Sequence, residues 1–270
     1  MSGESQRCAV LVQVAGAIVL AFLVMPIFAV VPASLNHASF IKIPPETYST
    51  RWYGEFFNDP TWVSALINSI KVAVLATVFS VVVGTAAALG IERLPGKLRA
   101  LTVGLVLAPL IVPVIMISVS LYYVTRSLGL YGTTIGLALS HSLLCLPFVV
   151  LNVGVSLNRL DPTLVRAAEG LGAGPLHIFR TVTLPAIFPG LAAGSAFAFV
   201  TSFDEVVISI FIAGYGAKTM PVKLWEQIRV EFTPVAAVAS AVILGMTVIV
   251  FILVRWSAAA SNRPASGRNT

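Results

Sequence analysis

Residues Asp161–Gly190 read DPTLVRAAEGLGAGPLHIFRTVTLPAIFPG and form the longest polar interruption between two strongly apolar runs in the C-terminal half of the chain. Asp161-Pro162 is an N-cap followed by proline at the first helical position, where a missing N–H leaves nothing unsatisfied. Thr163–Leu171 holds few helix breakers and predicts a short helix of about three turns, ended by Gly172 and Gly174-Pro175. A second short helix is expected over Leu176–Val182, stopped at Leu184-Pro185. A polar helix between two apolar runs is either an interfacial connector or a docking element, and the flanking runs bear on which.

Those runs belong to a chain that is 57% hydrophobic and only 10% charged, with a mean hydropathy of +0.94. A soluble domain carries about 25% charged residues to stay hydrated. The composition therefore indicates an all-α, polytopic membrane protein. A spanning helix needs about 20 mostly apolar residues. Six stretches qualify: Cys8–Ala33, Ala65–Ile91, Leu101–Val124, Thr134–Leu157, Leu191–Ala213 and Val235–Trp256. The first is too long for a signal peptide, whose apolar region is about 7–15 residues, and reads as an uncleaved span. This divides the chain into residues 1–64 (first span and an outer segment), 65–256 (a five-helix core carrying the polar loop 158–190) and a disordered tail, 257–270.

The basic residues set the orientation. The short segment Glu92–Ala100 holds Arg93, Lys97 and Arg99, and short basic loops stay on the cytoplasmic side. Both termini and the loop 158–190 are then inside. The positive net charge, +6, follows from this bias. It is spread among apolar runs with no single solvated face, which argues against nucleic acid. Outside, Asn36–Ser64 is rich in proline and aromatic residues, including Trp52-Tyr53, Phe56-Phe57 and Trp62, and predicts an interfacial helix. Gly214–Pro234 is also outside and holds Trp225, Glu226 and Glu231.

Pro109 and Pro113 lie in the third span and Pro147 in the fourth. Each removes a helical hydrogen bond and bends its helix, for gating or simply for packing. In the fifth span Gly190, Gly194, Ala198 and Ser202 recur every fourth residue, which aligns small side chains on one face and lets another helix backbone approach. Continued at 100° per residue, the same helix puts Glu205 in the middle of that stripe and Asp204 at its edge, away from lipid. Intramembrane carboxylates often mark an ion or solute path; pairing with a neighbouring helix, capping a break, or a place at the outer headgroup boundary are the other readings. Trp225 and Glu226 combine an aromatic face with a carboxylate, which suits an organic cation and equally an interfacial anchor.

Catalytic, cofactor and metal chemistry find no foothold. His37, His141 and His177 are far apart, Cys8 and Cys145 sit in apolar runs, and no HExxH, CxxC or GxSxG element occurs. GYGAKT at Gly214–Thr219 lacks the GxxxxGK[ST] spacing of a phosphate loop. The chain cannot draw energy from ATP by itself.

Ala167-Ala168-x3-Gly172-x9-Val182-x-Leu184-Pro185 resembles the EAA motif of ABC-type importer permeases, and the resemblance extends over about Thr61–Arg255. Ser202-Phe203-Asp204-Glu205-Val206, Met220-Pro221-Val222 with Leu224–Ile228, and Ser49-x-Arg51-Trp52-Tyr53 look most like the second permease of spermidine/putrescine importers. The resemblance implies a type I importer fold with six transmembrane helices in a bacterial inner membrane. It implies a second permease as heterodimer partner, two ATPase subunits and a periplasmic substrate-binding protein. Arg166, Ala167, Ala168, Glu169, Gly172, Leu184 and Pro185 would form the ATPase-coupling element, and Asp204, Glu205, Trp225 and Glu226 are the candidates for the path of a small organic cation such as a polyamine. Arg166 stands where the motif has its leading Glu, with Glu169 three residues on, so docking relies on other contacts or the partner ATPase differs in charge there. Amino acids, opines or aminophosphonates are alternative solutes. A self-sufficient channel or secondary transporter coupled through Asp204 and Glu205 is the alternative from another class.

Overall fold

The computed structural model describes residues 2–40, 43–230 and 233–261. Among these residues the protein is helical without strands; a lone antiparallel bridge joins Asn36 to Tyr48. The elements are α1 (Ser2–Ser34), α2 (Arg51–Asn58), α3 (Pro60–Glu92), α4 (Gly96–Ile111), α5 (Val114–Ser127), α6 (Thr134–Leu157), α7 (Pro162–Gly170), α8 (Pro175–Ile178), a π-turn (Phe179–Thr183), α9 (Leu184–Phe203), α10 (Val207–Ile212), α11 (Met220–Val230) and α12 (Pro234–Ser261). Five helices are long and apolar enough to cross a bilayer, and six spans result if α4 and α5 count as one. The number of spans matches the sequence reading. Two of them have a different internal form.

The third span is broken. α4 and α5 meet at 97° across Val112-Pro113, because Pro113 offers no N–H to continue the ladder and takes the N-cap of α5 instead. The fifth span starts earlier than expected. Leu184-Pro185 does not stop a helix; α8, the π-turn and α9 run on as one span, Pro175–Phe203. The wider π-turn precedes Pro185, which occupies the first turn of α9 where its missing N–H is harmless. The same span ends at Phe203, ahead of the expected Ala213, and α10 follows after a break at Asp204–Val206. At the C-terminus α12 continues to Ser261; of the tail expected to be disordered, residues 262–270 lie outside the described residues, as does Glu231.

The chain divides into two compact units. The first comprises Met1–Val63 and Leu224–Gly245. In it the stretch Arg51–Asn58 forms α2, which buries Trp52 and Phe56. Phe56 packs against Trp62 with ring centroids 5.5 Å apart, and the Tyr53 hydroxyl is 2.9 Å from Ser34 Oγ.

The second unit comprises Ser64–Lys223 and Met246–Thr270 and is built on the antiparallel pair α6 and α9. Lipid tails are as apolar as leucine, so close packing, more than removal of apolar surface from water, holds such a pair together. The small stripe supplies that packing, in register. A Cβ on Gly190 would collide with Asn152 O and Ser156 Oγ, one on Gly194 would lie 3.0 Å from Val149 Cα, Ala198 O accepts from Cys145 Sγ at 3.2 Å, and Ser202 meets His141. Two apolar clusters follow one another along α6. One includes the seam and joins α3, α4 and α9 to the second half of α6 around Val149 and Ile187. The other joins α3, α5, α10 and the first half of α6 around Val72, Ile117, Leu137, Ile208 and Ile212. The helices that follow the two breaks, α5 and α10, thus pack on each other.

Candidate functional site

The polar loop builds a helix with both ends capped. Asp161 Oδ1 accepts from Thr163 N at 2.8 Å, and Pro162 is the first residue of α7. At the other end Gly172 takes φ +81°, Ala173 N–H bonds Ala168 C=O at 3.1 Å and Gly172 N–H bonds Glu169 C=O at 2.9 Å. That pair of bonds is a Schellman cap, and the left-handed residue in it is the reason for glycine at 172. Nothing in α7 is buried. Arg166, Ala167 and Glu169 are exposed and Ala168 half-buried; Leu164 is 54%, Leu171 88% and Leu176 62% exposed. Ala168, Leu171, Gly172, Gly174, His177 and Thr181 line an open depression of about 490 Å³ beside the helix. Leu184 and Pro185 are set apart from it: Leu184 packs on the α6–α9 cluster and both belong to the span.

One anchor of this loop had no sequence signal beyond a basic segment. Arg99 Nη2 donates to Glu92 Oε2 at 2.7 Å and to Asn158 Oδ1 at 3.1 Å. It ties the end of α3 and the start of α4 to the C-cap of α6, three residues before the α7 cap.

The Thr163 backbone N–H, and after it the Thr163 hydroxyl, hold the Asp161 carboxyl below the usual carboxylate range. A depressed folded-state value means that the cap's contribution is full above the unfolded value of about 3.9 and is lost as pH falls through the depressed folded value. Asp161→Ala is therefore expected to lower hydrogen-exchange protection at Thr163–Val165 at neutral pH. Asp161→Asn, a good cap without a titrating group, should keep it and lose the acid dependence.

At the break the expected geometry changes. Asp204 is the C-cap residue of α9 and is exposed. Glu205 does not continue the small stripe: α9 has ended, and its Oε1 accepts from Ile208 N at 2.8 Å, closing the first turn of α10. Both carboxylates come directly after the end of the Pro175–Phe203 span, in the turn ahead of α10. His141, a lone histidine in an apolar run, is 1% exposed, and both ring nitrogens reach serine hydroxyls, Ser202 at 2.9 Å and Ser209 at 3.0 Å. Trp225 is 48% exposed and Glu226 exposed; they belong to the first unit and Asp204 and Glu205 to the second. Among the described residues no three His, Cys, Asp or Glu side chains gather as a metal site.

Comparison with known proteins gives these features a context. Residues 80–261 match the family model described as binding-protein-dependent transport system inner membrane component. The chain is 28% identical to the spermidine/putrescine transport system permease protein PotC of Escherichia coli, over 87% of this chain and 88% of that one. It is 31% identical to the putrescine transport system permease protein PotI of the same organism, over 85% and 84%, and 28% identical to the trehalose transport system permease protein SugB of Mycobacterium tuberculosis, over 88% and 89%. Among solved structures, a chain of a bacterial ABC transporter involved in the import of the acidic polysaccharide alginate superposes with a TM-score of 0.73 at 15% identity, covering 94% of this chain and 98% of that one. A chain of the MetNI methionine ABC transporter, in inward-facing conformations, gives 0.63 at 19% identity, covering 74% and 96%.

Proposed function

We propose, from the premise that this chain belongs to the family of binding-protein-dependent transport system inner membrane components, that it passes a small organic cation of the polyamine type into a bacterial cell. The premise makes it a multi-pass ABC importer permease, a transport subunit with no catalysis of its own. The finer reading concerns partners, coupling and cargo. A second permease would complete the translocation unit, two ATPase subunits would drive it, and a periplasmic binding protein would deliver the solute. Both termini and α7 would face the cytoplasm. Arg166–Gly172, capped at both ends, would take the ATPase motion as a rigid body, and Leu184 and Pro185 would carry it into the base of the fifth span.

The observation that carries the cargo assignment is the carboxylate-bearing turn at Asp204–Glu205. Broken helices within apolar spans are where transporters bind solutes, and an acid left exposed at such a break favours a cation. The likeness to PotC and PotI agrees with a polyamine; the likeness to SugB makes a sugar the competing cargo. Trp225 and Glu226, on the segment that the sequence places outside, would offer the cation an aromatic and an acidic contact.

The test is ATP-dependent uptake of labelled putrescine and spermidine by the full transporter in vesicles, with trehalose and neutral amino acids as competitors. A charge-assisted contact contributes about 1.5–3 kcal/mol, so the Asp204→Asn, Glu205→Gln double variant should lose about tenfold to a hundredfold in uptake with assembly intact. Unchanged uptake in that variant would make both carboxylates structural, and uptake by this chain alone without ATP would point to the channel or secondary-transport reading.

A further inference from the structure

His141 stands where the two apolar clusters of the second unit meet, at the level of the break in the fifth span. Ser202, in the last turn of α9, faces its Nδ1 at 2.9 Å, and Ser209, in α10, faces its Nε2 at 3.0 Å. The Asp204–Val206 turn lies between those two serines. One imidazole is therefore bonded to both sides of the break from a third helix. A neutral imidazole donates from one nitrogen and accepts at the other, and a hydroxyl can complement either, so both bonds are satisfied in either tautomer. The three residues are buried, at 1%, 3% and 1% exposure, so bulk water does not compete for these bonds. The backbone closes the gap poorly: Glu205 N–H reaches back to Ser202 C=O only at 3.5 Å. Within the turn, Glu205 is already occupied in capping α10.

We propose that His141 is a positioning residue for solute passage. By holding Ser202 and Ser209 from α6, it keeps the Asp204–Val206 turn in one geometry and makes α9 and α10 move together. Its effect on transport rests on the reading that Asp204 and Glu205 line the path; its effect on the turn does not.

The experiment uses the full transporter in lipid nanodiscs. Peptides covering residues 200–212 are followed by hydrogen exchange in wild type, in His141→Ala, and in Ser202→Ala with Ser209→Ala, which removes both bonds while keeping the ring. Losing two buried hydrogen bonds should speed exchange around Ile208 about tenfold or more, leaving α7 at wild-type protection. Uptake should fall in both variants, and the fall should be non-additive with Asp204→Asn, Glu205→Gln, since both act through one turn. Unchanged exchange at 200–212 in both variants would overturn the clamp, as would an equal rise along the whole of α6 and α9, which marks lost core packing. A loosened turn with wild-type uptake would overturn the role in passage. Local loosening together with unchanged uptake in the carboxylate double variant would remove the acids from the path and leave the clamp standing.

Discussion

Gly190→Leu is expected to leave little folded permease in the membrane, and even Gly190→Ala should lower thermal stability in detergent measurably. A single Cβ at 190 would collide with the carbonyl oxygen of Asn152 and the hydroxyl of Ser156 and lie 3.0 Å from Asn152 C. The first and last of these are backbone atoms of α6 and cannot rotate away. The helices must separate, and the separation is felt along the seam at Gly194, Ala198 and Ser202. Overpacking of a well-packed core costs about 1–3 kcal/mol, against a total stability of about 5–15 kcal/mol, and a leucine adds three further carbons to that cost. Gly104 is the control: it lies inside α4, and a methyl group there would meet nothing within 4 Å. Gly104→Ala should therefore be neutral or stabilise by up to about 1 kcal/mol through helix propensity. Wild-type melting of Gly190→Ala would mean that α6 and α9 do not pack at the spacing described.

That seam is legible in the sequence because it depends on a local period. Four small residues at intervals of four define one face whatever surrounds them, and the partner α6 has the bounds that its apolar run predicts, Thr134–Leu157. Where sequence and structure part, the physical form is common: single residues are poor guides to helix continuity. Pro185 reads as a stop, yet a proline in the first turn is harmless, and the preceding π-turn carries the chain into it. Phe203-Asp204-Glu205 reads as more helix, yet α9 ends with Asp204 as its C-cap and the Glu205 carboxylate accepts from Ile208 N–H to start a new turn. The prolines of the third span are visible but not the 97° angle at their break, since neighbours set it. Contacts distant in sequence are beyond reach. His141 meets serines 61 and 68 positions away, and Arg99 reaches Asn158 across 59. Nothing in the pattern of a single run encodes such pairs.

Leu171→Asp is expected to uncouple transport from ATP: uptake at background, ATPase subunits lost on purification, and the permease itself at normal abundance. Leu171 is 88% exposed at the end of a helix that buries nothing of its own, with Leu164 and Leu176 also open. A soluble loop has little reason to present three leucines to water, but a docking helix does. Burying one leucine in a partner contributes about 1.5–3 kcal/mol, and placing a carboxylate there adds a desolvation cost, so affinity should fall more than about a hundredfold. Gly172→Val tests the same element through the backbone. At φ +81° a side chain costs about 1–2 kcal/mol, and a β-branched one more, so the Schellman cap opens and the following turn moves; Gly172→Asn, tolerant of that region, should be milder. Arg166→Glu probes charge. If the partner groove is acidic to match this chain, the substitution weakens docking; if docking runs through Leu171 and the depression beside Ala168, it leaves docking unchanged. Wild-type uptake and a retained ATPase in Leu171→Asp would remove α7 from the coupling path and leave it an interfacial connector.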